Sequence, residues 1–264
     1  AKMIIRQTLI KAVIDRLDSD REIGFLLSGG FDSSIIVGIA AEYMKKIGKK
    51  IRTFSIGMAG GTDEKYAIMV SEFCDTVHTH ITVTKEEFLQ VIPDVIRTIG
   101  SFDITTIRAS CGQYCVSKWI SQNTNIKVLY VGEMSDEQFG SYKYFHYAPD
   151  DESFHEECVR LVEDIHNFDN VRCDRCIAKF GMEARIPFGD RALIDAVFRC
   201  SPALRRPKNG IEKWLVREAV KELNVIPEEV RIRSKEAFSD GVSSSDHSWY
   251  KIILEYVEKM YTDQ

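Results

Sequence analysis

The stretch Ser28-Gly29-Gly30-Phe31-Asp32-Ser33-Ser34 decides how this chain is read. It follows a short apolar run, residues 23–27, fit for a strand buried on both faces. It opens into residues 35–46, whose apolar side chains recur at helical spacing. Small residues between a strand and a helix let the backbone turn tightly and aim its N–H groups at an anion. The helix N-terminus adds partial positive charge, and Ser28 and Ser33 add hydroxyl donors. A carboxylate beside a phosphate repels it unless a cation lies between them, so Asp32 implies Mg²⁺. The Gly-Lys-Ser/Thr ending of a Walker-type loop does not follow. A plain strand-to-helix turn also uses small residues, but the Asp-Ser pair after the glycines favours a phosphate site.

Outward from this loop, strand and helix patterns alternate. Residues 51–56 read as a strand, and Asp63 can cap a helix over residues 64–74. Val77, Thr79, Ile81 and Val83 alternate as a strand does. Residues 86–99 and 110–121 are helical in pattern, with Pro93 as a kink or boundary, and residues 127–131 form a fourth strand. This order implies a parallel sheet with helices on both faces. After Gly140 helical spacing dominates, over residues 153–164, 170–180, 191–200, 211–223 and 246–260. No linker rich in Gly, Pro or Ser intervenes. The expectation is one α/β domain over residues 1–264, with a doubly wound, mostly parallel sheet in residues 1–140 and an added helical half in residues 141–264.

With 264 residues, 44% hydrophobic and 28% charged, the chain is neither disordered nor low in complexity. The net charge of −5 argues against a nucleic-acid partner. The longest stretch without a charge, residues 53–62, is too short to cross a bilayer, and no membrane partner is expected. Lys2, Arg6, Lys11, Asp15 and Arg16 interrupt the first apolar run, which reads as an amphipathic helix rather than a signal peptide. The seven cysteines give no disulfide framework and read as reduced thiols, so a cytoplasmic location is expected. Cys173-Asp-Arg-Cys176 lacks a second ligand pair and reads as thiols on a helix.

Four further stretches carry chemistry: Asp103-Ile104-Thr105-Thr106-Ile107-Arg108-Ala109-Ser110, between predicted helices; Gly132-Glu133-Met134-Ser135-Asp136-Glu137-Gln138-Phe139-Gly140, after the fourth strand; Gly181-Met182-Glu183-Ala184-Arg185-Ile186-Pro187-Phe188; and Lys235-Glu236-Ala237-Phe238-Ser239-Asp240-Gly241. Ligands of open α/β sheets sit outside the carboxyl ends of strands. The first strand delivers Asp32 there and the fourth delivers Glu133 and Asp136, so the two aspartates can share Mg²⁺ on a pyrophosphate. Arg108 after Thr105 and Thr106 suits a small carboxylate, though a surface arginine is the plainer alternative. Glu183 and Arg185 either pair with each other or touch substrate. Lys235 ends a basic run and precedes a loop signature; a lysine at an α-phosphate stabilises developing charge.

Taken with the loop, these stretches closely resemble the synthetase domain of glutamine-hydrolysing asparagine synthetases, within the PP-loop ATP pyrophosphatases, over residues 23–249. The resemblance implies a ligase. The aspartate β-carboxylate attacks the ATP α-phosphate, giving β-aspartyl-AMP and pyrophosphate, and ammonia then gives asparagine and AMP. It places Leu26, Ile56, Gly57, Val131 and Gly132 at the nucleotide, and Ser28, Gly29, Gly30, Asp32, Ser33 and Lys235 at the phosphates. Asp32 and Asp136 take the metal, and Thr105, Thr106, Arg108, Asp136, Glu183 and Arg185 take aspartate. Glu133 matches the residue that deprotonates ammonium, Lys235 the lysine at the α-phosphate, and Asp169 and Arg172 approach the reacting centre with Arg108. ATP, Mg²⁺, aspartate and ammonia are the implied ligands, with the oligomeric state open, a homodimer included.

The match has departures. Family members begin with a glutaminase domain carrying an N-terminal cysteine; here the sequence starts Ala1-Lys2. The expectation is that this domain is absent and that nitrogen comes as free ammonia or from a partner glutaminase domain or subunit. Met134 stands where GEGSDE has its second Gly, Ser141 where a further Gly is usual, and Gly189 where PFLD has Leu. If position 134 needs positive φ, Met carries a cost there. Two other readings stand beside this one: an adenylating amide or lactam synthetase using an internal amine, and a catalytically degenerate nucleotide-binding module. Thr105 to Arg108 favour aspartate and Glu133 favours ammonia, while intact Ser28, Asp32, Glu133, Asp136 and Lys235 argue against a scaffold.

Overall fold

Five strands, β1 (Ile23–Leu26), β2 (Arg52–Gly57), β3 (Val77–Thr82), β4 (Val128–Tyr130) and β5 (Glu183–Arg185), form one sheet in the order β3-β2-β1-β4-β5. Each neighbouring pair is parallel. The chain moves outward from β1 to β3, crosses back, and moves outward again through β4 and β5. The strand order therefore reverses between β1 and β4, and their carboxyl ends leave a crevice. This is the doubly wound α/β arrangement expected from the alternation. The computed structural model describes residues 1–236, 241–243 and 248–262.

Helices cover both faces of the sheet: α1 (Lys2–Ile14), α2 (Phe31–Lys46), α3 (Thr62–Phe73), α4 (Lys85–Ile99), α5 (Ile104–Asn123), α6 (Ser135–Phe139), α7 (Asp151–Asp164), α8 (Asp169–Ala178), α9 (Arg191–Phe198), α10 (Pro202–Arg205), α11 (Trp214–Val220), α12 (Glu228–Ile232) and α13 (Trp249–Thr262). Successive strand side chains point to opposite faces, so one strand feeds two cores. Phe25 and Tyr130 enter a core with Leu9 of α1, Ile35 of α2, Leu193 of α9 and Leu215 of α11. Leu129, Val131, Phe54 and Ile56 enter the other, with Phe88 of α4, Ile120 of α5, Ile177 of α8 and Trp249 of α13. The first helix buries Ile5, Leu9, Ala12 and Val13 and exposes its charges, as its amphipathic pattern requires. Among the described residues, no helix is long and apolar enough to cross a membrane.

Several local expectations change. β5 lies within residues 141–264, so that part is not purely helical: it supplies the sheet edge beside β4, in register Tyr130↔Arg185. The helix expected from residue 110 starts at Ile104, because the Asp103 carboxylate accepts from the Thr106 N–H at 2.7 Å and caps it. Thr105, Thr106 and Arg108 thus lie on the first turns of a helix, not in a loop. Asp63 does not cap α3; Gly61 holds that position, and Asp63 turns instead to the Arg233 guanidinium, 2.9 Å away. Pro93 neither breaks nor bounds α4: the helix runs through it from a Thr84–Glu87 capping box to Ile99, with Pro93 on the exposed face. The helix expected over residues 211–223 starts only at Trp214, after a left-handed residue at Lys213, and passes at Val220 into a 3-10 turn over Lys221–Leu223. Ala237–Asp240 of the fourth stretch, and positions 246–247 of the last expected helix, lie outside the described residues.

On one face of β2 and β3 runs a partly buried polar ladder. Thr53 Oγ1 lies 2.9 Å from His78 Nδ1, and Ser55 Oγ lies 3.0 Å from His78 Nε2 and 2.8 Å from His80 Nδ1. His80 Nε2 faces Glu64 at 3.6 Å. Burial, and then the neighbouring His80, push the His78 pKa down to about 4. An unfolded histidine titrates near 6.5. Between these values the unfolded chain binds more protons, so this group stabilises the fold above about pH 6.5 and loses that contribution as pH falls toward 4. Urea midpoints at pH 7.5 and 5 should therefore differ more in the wild type than in His78→Gln; equal differences would dismiss His78 as the source.

Candidate active site

The strand-to-helix loop folds as its small residues require. Gly29 has φ +77°, a conformation that side chains resist, and the turn brings Ser28 Oγ within 3.1 Å of Ser33 Oγ. Gly30 caps α2 without a side-chain bond, leaving the first N–H groups of the helix to an incoming ligand. Gly132, after β4, lies against this loop: a Cβ there would stand 2.9 Å from the Ser33 nitrogen. The crevice at the β1–β4 reversal opens into a cleft of about 550 Å³.

Four charges alternate on its floor. Lys213 Nζ lies 2.5 Å from both Asp32 Oδ2 and Asp136 Oδ1, and Lys235 Nζ lies 2.5 Å from Asp136 Oδ2. Burial opposes ionisation of Asp136, yet Lys213 and Lys235 hold its carboxyl far below the usual carboxylate range. Burial likewise works against the Lys235 charge, but Asp136 and Asp32 raise its pKa above the ordinary lysine value. Ser141 Oγ donates to Asp136 as well. Among the described residues Asp32 Oδ1 is buried without a hydrogen-bond partner, which suits a hard divalent cation; both Asp136 oxygens are already engaged.

Beside this row stands a second cluster. Arg172 reaches Glu133 at 3.5 Å and also pairs with Asp169. Tyr142 donates to Glu137, and its hydroxyl lies 3.4 Å from Asp169 Oδ2. Burial and the adjacent Asp136 push Glu137 up to about 7, against the pull of the Tyr142 hydrogen bond. Across the cleft, Arg108 extends from α5 with its guanidinium over the Tyr250 ring, while Trp249 Nε1 donates to the Arg108 carbonyl. Asp63, paired with Arg233 in the wall, rises to about 6 because burial outweighs that partner.

Of the residues singled out from the sequence, Leu26, Ser28, Gly30, Asp32, Ser33, Ile56, Thr105, Arg108, Val131, Gly132, Glu133, Asp136, Asp169, Arg172 and Lys235 line one cleft. Gly29 and Gly57 shape the backbone beside it; Thr106 is buried at the start of α5. Glu183 and Arg185 do not line it. They pair at 3.0 Å on the edge strand, and Arg185 turns to the carbonyls of Arg16 and Asp18, tying the turn after α1 to the sheet. The sequence reading missed Lys213, Arg217, Tyr142 and Arg233, all of which line the cleft. A signal for Lys213 was present: Glu212-Lys213 follows an Asn209-Gly210 turn and sits between Ile211 and Trp214, an odd place for solvated charges.

The family model described as asparagine synthase matches residues 4–152 and 147–264. A probable glutamine-hydrolysing asparagine synthetase of Acanthamoeba polyphaga mimivirus is 45% identical over 98% of this chain and 47% of its own. The chain belongs to the asparagine synthase family. The human glutamine-hydrolysing asparagine synthetase is 42% identical, over 96% of this chain and 45% of its own. The chain thus spans about half the length of the curated relatives it matches. Among solved structures, NMN synthetase from Francisella tularensis aligns over 98% of this chain and 87% of its own, at 12% identity and a TM-score of 0.47.

In this asparagine synthase family member the three departures are accommodated locally. Met134 has φ +74°, so that position does take the left-handed conformation. Gln138 Nε2 donates to the Met134 carbonyl at 2.8 Å and to the Phe188 carbonyl at 2.6 Å, stapling the two segments together. Met134 Sδ lies 2.9 Å from where a Cβ on Gly189 would stand. The methionine therefore fills the space that a side chain at 189 would take. Ser141 spends its hydroxyl on Asp136.

Proposed function

We propose that this chain makes asparagine from aspartate, ATP and ammonia through β-aspartyl-AMP, releasing AMP and pyrophosphate. The observation that carries this reading is the row Asp32–Lys213–Asp136–Lys235 at the strand-order reversal, with Glu133 and Arg172 beside it. Family membership supports it. Leu26, Ile56 and Val131 offer apolar walls to the nucleotide base, with Gly57 and Gly132 allowing close approach. The Ser28–Ser33 loop receives the phosphates on its N–H groups and hydroxyls. Lys213 and Lys235 hold ammonium groups toward the charge that develops during α-phosphate attack. Asp32, through its unpartnered oxygen, would hold Mg²⁺, which when bound neutralises phosphate charge, while Asp136, expected from the sequence to share the metal, keeps both oxygens on Lys213 and Lys235. Arg108 and Thr105 meet the substrate carboxylate, and Glu133, oriented by Arg172 and Asp169, takes the proton from ammonium.

Incubation with ATP, Mg²⁺, aspartate and an ammonium salt should yield AMP, pyrophosphate and asparagine in equal amounts. Ammonium should be the sufficient nitrogen source; in the cell it would come free or from a glutaminase domain or subunit. Pyrophosphate without asparagine at saturating ammonium would replace this reading by an adenylating synthetase for another amine.

A further inference from the structure

Lys213 reaches the cleft floor from a turn that its own sequence does not secure. Its φ is +58°, in the left-handed region that lysine rarely adopts, and its side chain is 1% exposed. Something outside the residue must hold that turn. Arg217, one turn into α11, is placed to do so. Its Nε donates to the Glu212 carbonyl at 2.8 Å, and its Nη2 donates to Glu212 Oε1 at 2.7 Å. Its Nη1 donates to the Arg231 carbonyl at 2.5 Å, at the end of α12, and Arg231 returns a bond to the Arg217 carbonyl at 3.3 Å. The guanidinium lies 4.7 Å from the centre of the Phe31 ring, the residue before Asp32. One planar group thus joins the turn carrying Lys213, the helix opening at Asp32, and the segment leading to Lys235.

The Glu212–Arg217 pair is buried, at 6% and 2% side-chain exposure. A buried ion pair is a poor source of stability compared with apolar side chains of the same size. Its geometry, however, is hard to replace: a fork of donors in one plane serves three acceptors at once, which an ammonium on a flexible stem does not. We propose that Arg217 is a positioning residue that fixes Lys213 between Asp32 and Asp136. The kinetic side of this inference rests on the adenylating reaction proposed above; the structural side does not.

The structural side is read on the full chain labelled with ¹⁵N-lysine. A buried ammonium bonded to two carboxylates exchanges slowly with water, so Lys213 should give an Nζ–H correlation at neutral pH, assigned by its loss in Lys213→Arg. Arg217→Lys, folded by circular dichroism, should lose that correlation. Glu212→Gln, whose amide oxygen still accepts from Nη2, should keep it. Should Arg217→Lys fail to fold, the paired variant Glu212→Gln/Arg217→Met removes both buried charges and should also lose the Lys213 signal. A Lys213 correlation that persists in either folded Arg217 variant overturns the proposal.

The kinetic side is a cycle of Lys213→Met, Arg217→Lys and their combination, read as pyrophosphate release. Each single variant should lose about 10²-fold in kcat, and the double should be no more than about threefold slower than Lys213→Met alone. Losses that multiply would overturn positioning. A wild type that releases no pyrophosphate would refute the reaction, and the lysine spectra would still decide the role of Arg217.

Discussion

Glu133→Gln should separate two products that the wild type makes together. Pyrophosphate release from ATP and aspartate should stay within a few-fold of wild type, while asparagine falls about 10²–10⁴-fold, the usual contribution of a positioned proton acceptor. Glu133 follows β4 and pairs with Arg172 at 3.5 Å, whereas the lysine–aspartate row on which the phosphate chemistry depends is bonded within itself. The amide keeps the shape and much of the polarity, so the fold should hold. Lys235→Ala should act differently. It removes one of the two ammoniums on Asp136 and leaves Lys213 in place, so the row remains paired but donates less charge. Pyrophosphate and asparagine should then fall together, by about 10²–10³-fold. Both products are measured in the same tubes across an ammonium series. An unchanged asparagine-to-pyrophosphate ratio in Glu133→Gln at limiting ammonium would remove Glu133 as the base.

Exchanging Met134 and Gly189 for Gly and Leu should be far better tolerated as a pair than singly. Met134→Gly alone relieves a left-handed methionine, worth about 1–2 kcal/mol. It also deletes a side chain buried in the core, and truncations of that size cost about 2–5 kcal/mol, so the loss wins. Gly189→Leu alone drives a Cβ to within 2.9 Å of the Met134 sulfur; overpacking costs about 1–3 kcal/mol. Together, the leucine occupies the volume that the methionine vacates, and the glycine takes the backbone conformation without strain. Urea unfolding of the four proteins should place the double variant within about 1 kcal/mol of wild type. Additive losses would show that the two positions do not share one space.

Most of the cleft was legible because its motifs are local. A loop of seven residues between an apolar strand and an apolar helix carries its own geometry, and four strand ends follow from alternation alone. What escaped depended on the rest of the chain. β5 is three residues long, and Glu183 and Arg185, which share one of its faces, look polar enough to be substrate contacts. Lys213 was concealed by a helical pattern that ran through it, since periodicity does not register one residue with positive φ. Arg217 acts through carbonyls of Glu212 and Arg231, partners that no sequence pattern announces. Cys173 and Cys176 were read as thiols on a helix, and both lie buried on α8.

The order of the strands also governs how this protein emerges from a ribosome. β1 is synthesised first and ends in the middle of the sheet, where it pairs with β2 some thirty residues later. Its other neighbour, β4, arrives about a hundred residues after it, and Trp249, which closes the second core, later still. Throughout that interval the inner edge of β1 presents unpaired N–H and C=O groups beside apolar side chains, the arrangement that recruits other chains. Slow elongation up to residue 128 prolongs this exposure, whereas prompt delivery of β4 ends it. Nascent chains halted before β4 should bind hydrophobic-surface chaperones, and those halted beyond α13 should be released.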